Sequence, residues 1–170
     1  GTWGHGTDLK GEQGLQGEQD PQGEPGEDSS SNLPFTNLFN NQSESTQSVD
    51  IPRASVTGVE SGEIILTESG VFTQFAVQLN ISHPEIAALQ VLLVSPTGSS
   101  YVLHDGPNGS GSGLDLIGTF PEDFIPVDAL DPIIGSSVAG RWSLRLIDTD
   151  FEIREGAART LNSWSIAYER

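Results

Sequence analysis

The clearest structural signal in the chain is residues 71–103, which read VFTQFAVQLNISHPEIAALQVLLVSPTGSSYVL. Between residues 71 and 81 the apolar side chains fall on alternate positions. They are Val71, Phe75, Val77, Leu79 and Ile81, and Thr73 breaks the series. Because successive side chains of a β-strand point to opposite faces, this spacing puts the apolar set on one face. It predicts a strand with one buried side.

The second half of this stretch has a different pattern. Pro84 interrupts the first strand, since proline has no N–H to donate to a ladder. Residues 88–95 (ALQVLLVS) are more continuously apolar, which indicates a strand covered on both faces or near the centre of a sheet. Ser95-Pro96-Thr97-Gly98 has the composition of a β-turn, and residues 100–104 return as a short strand. This arrangement is typical of the inner part of an antiparallel sandwich.

Further strands are predicted on both sides of this region. They cover residues 49–52, 54–59, 63–67, 114–120, 141–148 and 161–168, with a hairpin-like turn at 60–62. Six side chains in the last two strands should face inward: Trp142, Leu144, Leu146, Trp164, Ile166 and Tyr168. Eight to nine strands at this spacing predict the all-β class and, over residues 49–170, an antiparallel β-sandwich of jelly-roll type.

Residues 1–48 form a predicted extended, non-globular arm that is acidic and rich in Gly, Gln and Ser. Residues 11–28 parse as GEQ, GLQ, GEQ, DPQ, GEP and GED, so glycine opens every triplet except the one at Asp20. Glycine at every third position is what a collagen triple helix needs at its crowded axis. A flexible acidic linker is the alternative.

A spacer follows the triplets and holds one apolar cluster. The cluster is Leu33, Pro34, Phe35, Leu38 and Phe39. Two interpretations of this cluster are open. It docks on a neighbouring molecule, for example by adding a strand to a sheet, or it packs on the chain's own domain.

Composition narrows the function classes. The 24 Asp and Glu residues face 7 Lys and Arg residues, and this acidity argues against nucleic acid as a partner. The absence of cysteine excludes a disulfide framework, a thiolate metal site and a cysteine nucleophile. No apolar run approaches the ~18 residues of a membrane span. No signal peptide is visible, although a precursor could have carried one.

Calcium is the ligand that the acidic loops favour. It takes six to eight oxygen ligands from carboxylates, amides and carbonyls. The predicted metal ligands are Asp105, Asn108, Asp123, Asp148 and Asp150. No EF-hand spacing is present, and three histidines without cysteine make a poor zinc site.

No catalytic residue is predicted. His5-Gly6-Thr7 resembles the segment around the catalytic histidine of subtilisin-like proteases, but the companion motifs are missing. No nucleophile-elbow motif is present either. Trp142 and Trp164 are expected in the core, whereas a role in stacking on carbohydrate would need exposed rings.

The part of the chain from about residue 49 to residue 169 resembles the P domain (Homo B) of kexin- and furin-like proprotein convertases, which also occurs in many secreted bacterial proteins. The matching residues are His83, Leu89, Val91, Leu93, Ser95, Pro96, Gly98, Leu103, Gly135, Gly140, Trp142, Leu144, Leu146, Asp148, Leu161, Trp164 and Ile166. The resemblance implies a jelly-roll sandwich, secretion and a supporting, non-catalytic role. Two positions depart from the family: Ala88 replaces a usual Asp, and Arg159 replaces a frequent Gly. The family's calcium site therefore does not carry over whole.

These observations lead to three functional hypotheses. The first is a secreted, non-enzymatic structural, assembly or adhesion module whose arm drives self-association into a trimer or a filament. The second is an accessory P domain that stabilises a subtilisin-like serine protease, with an upstream protease domain as its partner. The third is a carbohydrate-binding jelly roll.

Overall fold

The computed structural model describes residues 1, 39–152 and 156–170. The predicted collagen-like triplets, most of the predicted arm and its residue His5 lie outside this part of the chain. The described residues contain ten strands: β1 Asn41–Ser45, β2 Val49–Asp50, β3 Val59–Glu60, β4 Ile64–Leu66, β5 Gln74–Ser82, β6 Leu89–Val94, β7 Ser100–Asp105, β8 Leu116–Phe120, β9 Gly140–Asp148 and β10 Thr160–Glu169. Three short 3₁₀ helices lie at Ile86–Ala88, Gly106–Asn108 and Asp131–Ile133.

The strands form two antiparallel sheets. One has the order β1-β10-β5-β8, with β2 also paired to β10. The other has the order β3-β9-β6-β7, with β4 also paired to β9. The predicted all-β, antiparallel sandwich class is therefore confirmed.

The core lies between the inner faces of the two sheets. On β5 the alternating residues Phe75, Val77, Leu79 and Ile81 are all buried. The six inward side chains predicted for β9 and β10 are buried as well. Removal of these apolar side chains from water is the main force that brings the sheets together.

The central strand and its turn also agree with the sequence. β6 lies between β9 and β7, which explains its continuous apolar character. The turn that follows it is closed by the Gly98 N–H, which donates to the Ser95 carbonyl at 2.9 Å. Gly98 has φ +82°, a backbone conformation that glycine adopts without strain.

Two segments differ from the sequence-based expectation. The predicted hairpin at 60–62 is wrong, because β3 and β4 both pair with β9 rather than with each other. Ser61 joins them along that edge: its N–H donates to the Leu144 carbonyl, and its hydroxyl accepts from the Leu144 N–H at 2.8 Å. The second difference is β1, a polar strand that pairs with β10 inside the segment treated as a spacer.

The chain changes sheets several times, and three of these crossings lie at one end of the sandwich. These three crossings are the connections from β5 to β6, from β7 to β8 and from β9 to β10. Each changes sheet, since β5, β8 and β10 belong to one sheet and β6, β7 and β9 belong to the other. Polar residues are concentrated in these crossings, as described next.

Candidate functional site: a buried ionic cluster

Four ionisable side chains meet where the chain leaves β5 and where it passes from β9 to β10. They are His83, Asp148, Asp150 and Arg159. The Asp148 and His83 side chains are completely buried, and those of Asp150 and Arg159 are 8% and 11% exposed. The cluster connects the two sheets, because His83 follows β5 and Asp148 ends β9.

Arg159 holds the two carboxylates together. Its Nη1 donates to Asp148 Oδ2, and its Nη2 donates to Asp150 Oδ2 at 2.7 Å. The other oxygen of Asp148 accepts the Asp150 N–H at 2.8 Å. Both Asp148 oxygens are thus hydrogen-bonded, as burial of a carboxylate requires.

The histidine is fixed by contacts on both sides of its ring. Its Nδ1 accepts the Glu85 N–H at 3.2 Å, which assigns the ring proton to Nε2. Nε2 lies 3.2 Å from Asp148 Oδ2 and donates to it. The His83 backbone is held by Asp115, whose Oδ1 accepts the His83 N–H at 2.8 Å and whose N–H donates to the His83 carbonyl at 3.0 Å.

Electrostatics favour a permanently charged guanidinium at this position. Burial by itself lowers the pKa of Arg159, but hydrogen bonds and Coulombic attraction from Asp150 and Asp148 outweigh it, so the pKa is raised. Arg159 therefore keeps its positive charge and forms an ion pair with each of the two carboxylates.

The arrangement supports structure rather than catalysis. A His–Asp pair becomes part of a catalytic triad only when the histidine also contacts a nucleophile. Here Nε2 donates to Asp148, and Nδ1 accepts a hydrogen bond from the Glu85 backbone N–H. Among the described residues no hydroxyl group is bonded to the His83 ring.

The five predicted calcium ligands occupy three separate places. Asp148 and Asp150 are in the ionic cluster, where the Arg159 guanidinium takes the position between them that a cation would occupy. This donor set does not fit calcium while Arg159 is present. Within the described residues no group of three or more His, Cys, Asp or Glu side chains is placed to hold a metal ion.

The other three predicted ligands have local roles. Asn108 Nδ2 donates to Asp105 Oδ2 at 2.7 Å, and the second Asp105 oxygen is buried without a hydrogen-bond partner in the described structure. Asp123 Oδ2 accepts the Thr119 N–H at 2.8 Å, which covers the outer edge of β8. Two oxygen-bearing side chains at Asp105 are fewer than calcium needs. The calcium site stays a prediction.

Sequence reasoning missed Arg159 and the ionic role of His83. A signal for Arg159 was present, because it stands where the resembled family often has glycine. The expected burial of Trp142 and Trp164 is confirmed, since each is 1% exposed.

Comparison with known proteins gives one family match. The model described as the proprotein convertase P-domain matches residues 72–168, which is more than half of the chain. No curated protein matches the chain. No helix among the described residues is long and apolar enough to cross a membrane.

Two of the solved structures that are similar to the chain come from Aeromonas sobria. One is the crystal structure of a serine protease of Aeromonas sobria, with 17% identity, 76% of this chain and 27% of that chain covered, and a TM-score of 0.49. The other is the Aeromonas sobria serine protease in complex with the chaperone, with 16% identity, 78% and 28% covered, and a TM-score of 0.46. The chain spans about a quarter of the length of the solved chains that it matches.

Proposed function

The chain belongs to the proprotein convertase P-domain family, and from this premise we propose that it is an accessory domain that stabilises a subtilisin-like serine protease. The family match over residues 72–168 is the observation that carries the proposal. The P domain of proprotein convertases is a non-catalytic accessory domain, so the proposed protease partner would supply the chemistry.

The described structure supports a stabilising role in two ways. The side chains that resemble catalytic groups, His83 and Asp148, are turned inward and bonded to each other and to Arg159. Trp142 and Trp164 are buried in the core, so neither presents a ring face to a sugar. A sandwich whose ionic and aromatic groups are used internally is suited to act as a rigid support.

We further propose that the protein acts outside the cell. Two observations support this proposal. The chain's resemblance to the P-domain family implies secretion, and its acidic composition favours solubility. Immunodetection of the protein in culture fluid and in cell lysate from the source organism tests this proposal. Detection in the lysate alone would contradict it.

The accessory role is tested on the protein as its source organism makes it. An antibody against the sandwich is combined with a fluorophosphonate label, which reacts covalently with active serine hydrolases. The proposal expects one polypeptide, larger than this chain, that carries both signals. An antibody signal only at the size of this chain, without the label, would overturn it.

Self-association through the arm is a second candidate function. The observation that favours it is the glycine series at residues 11–28, in which only the triplet at Asp20 lacks glycine. Light scattering of the chain with and without residues 1–32 tests it. The candidate expects an oligomer that becomes a folded monomer after the deletion. An unchanged mass would reject it.

A further inference from the structure

An open apolar groove lies beside the loop that joins β8 to β9. It has a volume of about 420 Å³, and its lining includes Phe75, Pro121, Ile125, Val127, Leu130 and Ile134. Three of these apolar residues are exposed: Ile125 by 90%, Val127 by 52% and Ile134 by 43%. Phe75 lies at the beginning of β5 whereas His83 follows its end, so the groove is separate from the ionic cluster. An exposed apolar concavity of this kind is typical of a binding surface.

The loop is held by hydrogen bonds to strands of both sheets. Near its start the Asp123 N–H donates to the Thr119 carbonyl of β8 at 2.8 Å. Further along, the Asp128 N–H donates to the Val102 carbonyl of β7 at 2.9 Å, and Asp128 Oδ2 accepts the Val102 N–H at 2.8 Å. β8 and β7 are end strands of different sheets. Ile125 lies between these two attachments in the sequence, so a partner would find this side chain already positioned and would lose little affinity to the ordering of the loop.

The border of the groove is acidic. Residues 121–134 read PEDFIPVDALDPII and contain no Lys, Arg or His. Their four acidic residues are all exposed, and they are Glu122, Asp123, Asp128 and Asp131. Asp131 is part of the lining, and each of the other three lies within two positions of a lining residue in the sequence. Apolar side chains bordered by negative charge are complementary to apolar side chains flanked by Lys or Arg.

The same charges disfavour a second copy of this chain as the occupant. In a symmetric dimer the groove of one molecule faces the groove of the other, which brings the carboxylates of the two loops together. Like charges placed opposite each other weaken binding. The chain offers few cations to offset them, because four of the five arginines among the described residues contact a carboxylate or a carbonyl of their own chain. These four are Arg141, Arg145, Arg159 and Arg170.

We propose that the groove is a docking site for a different protein, which inserts apolar side chains flanked by Lys or Arg. The apolar side chains of this partner cover Ile125, Val127 and Ile134, and its basic groups approach Asp131 and the carboxylates beside it. Burial of the apolar groups supplies most of the affinity. The charges determine which partners are accepted and make the binding sensitive to salt.

Peptide selection on the full chain tests this chemistry. The probe is a library of short random peptides, each linked to its own coding nucleic acid, which is selected on the natural chain and in parallel on an Ile125→Asn variant. The proposal expects the natural chain to enrich peptides with large apolar residues flanked by Lys or Arg, and the variant not to retain them. Enrichment of acidic peptides, equal retention by both proteins, or no enrichment at all would overturn the proposal.

One enriched peptide is then synthesised, and its Kd is measured by fluorescence anisotropy. Ile125→Asn should raise the Kd at least about tenfold, because the burial of one isoleucine side chain is lost. Val56→Asn is the matched control and should leave the Kd unchanged, since Val56 is 81% exposed and follows Ser55, whose N–H donates to the Asp148 carbonyl beside the ionic cluster. Both replaced side chains are exposed, so both variants should fold. Equal Kd values for the natural chain and Ile125→Asn would contradict the proposal.

The contribution of charge is measured separately. Asp131→Asn should weaken the binding of the same peptide and reduce the dependence of its Kd on salt, because one carboxylate of the border is removed while the apolar lining is kept. A Kd that does not change with salt in the natural chain would contradict a basic partner.

Sedimentation equilibrium distinguishes a different partner from a second copy. The proposal expects the natural chain and Ile125→Asn to have the same mass in solution. A smaller mass for Ile125→Asn would overturn the proposal, because the groove would then be a contact between two copies of this chain.

Discussion

Replacement of Arg159 by alanine should destabilise the sandwich strongly. The substitution leaves the Asp148 and Asp150 carboxylates, which are 0% and 8% exposed, without their common partner. Removal of one member of a buried ionic group costs about 3–5 kcal/mol, because the remaining carboxylates lose their cationic partner and water does not replace it. For a domain of this size the melting temperature falls by roughly 3–5 °C per kcal/mol, which gives a decrease of roughly 9–25 °C.

The chain contains a matched control for this experiment. Arg141 forms an ion pair with Glu63 at 3.0 Å, but the two side chains are 65% and 42% exposed. Exposed pairs of this kind contribute about 0–1 kcal/mol, so Arg141→Ala should have little effect. The comparison separates the loss of a buried ionic contact from the loss of an arginine in general.

Urea unfolding measured by tryptophan fluorescence provides the free energies, because Trp142 and Trp164 are both buried and become exposed on unfolding. A loss of less than about 1 kcal/mol for Arg159→Ala, equal to that of the Arg141 control, would refute the assigned role of the ionic cluster. Adding Asp148→Asn and Asp150→Asn to Arg159→Ala should restore part of the lost stability, since the uncompensated charges are removed.

Three further outcomes are expected. Burial and a carboxylate partner raise the pKa of Tyr168 to about 12, whereas a tyrosine in the unfolded chain ionises near pH 10. The neutral side chain therefore stabilises the fold by up to about 2 kcal/mol below pH 10. This contribution is lost as the pH rises from about 10 to 12. Tyr168→Phe should remove this pH dependence from unfolding free energies. Gly140→Ala should lower the free energy of unfolding in urea by about 1–3 kcal/mol, because the added Cβ would lie 2.3 Å from Pro96 Cγ. Gly98 also has a positive φ, but a Cβ added there would meet no atom within 4 Å, so Gly98→Ala is the control for backbone strain. Millimolar calcium should raise the melting temperature of Arg159→Ala more than that of the natural protein, because the guanidinium no longer lies between the Asp148 and Asp150 carboxylates and calcium binds carboxylate oxygens. An equal shift in both proteins would contradict this.

Much of the fold could be predicted from the sequence, because its main strands carry strict period-two patterns. Val77, Leu79 and Ile81 on β5, and Trp142 and Leu144 on β9, alternate with polar residues and are buried as expected. The pattern identifies these two strands and their inner faces. It does not identify the pairing partner, and for this reason residues 60–62 were wrongly predicted to form a hairpin.

Other features had no local signal. β1 reads NQSES and contains no apolar residue, since it pairs at the edge of a sheet through its backbone. The ionic cluster brings His83 within 3.2 Å of Asp148, which is far away in the sequence. Asp residues in loops were predicted as calcium ligands from their type alone, whereas the partner of Asp148 is set by the crossing between β9 and β10. Such contacts depend on topology, which residue patterns do not contain.

The proposed accessory role is tested most directly by measuring how fast the protease that we propose to carry this domain loses activity on heating. The measurement compares the natural protein with its Arg159→Ala and Arg141→Ala variants. The proposed function predicts that Arg159→Ala shortens the half-life of activity at temperatures where only the variant sandwich unfolds, while Arg141→Ala leaves it unchanged. Equal half-lives in all three proteins, with the sandwich of Arg159→Ala shown to be unfolded, would contradict a stabilising role.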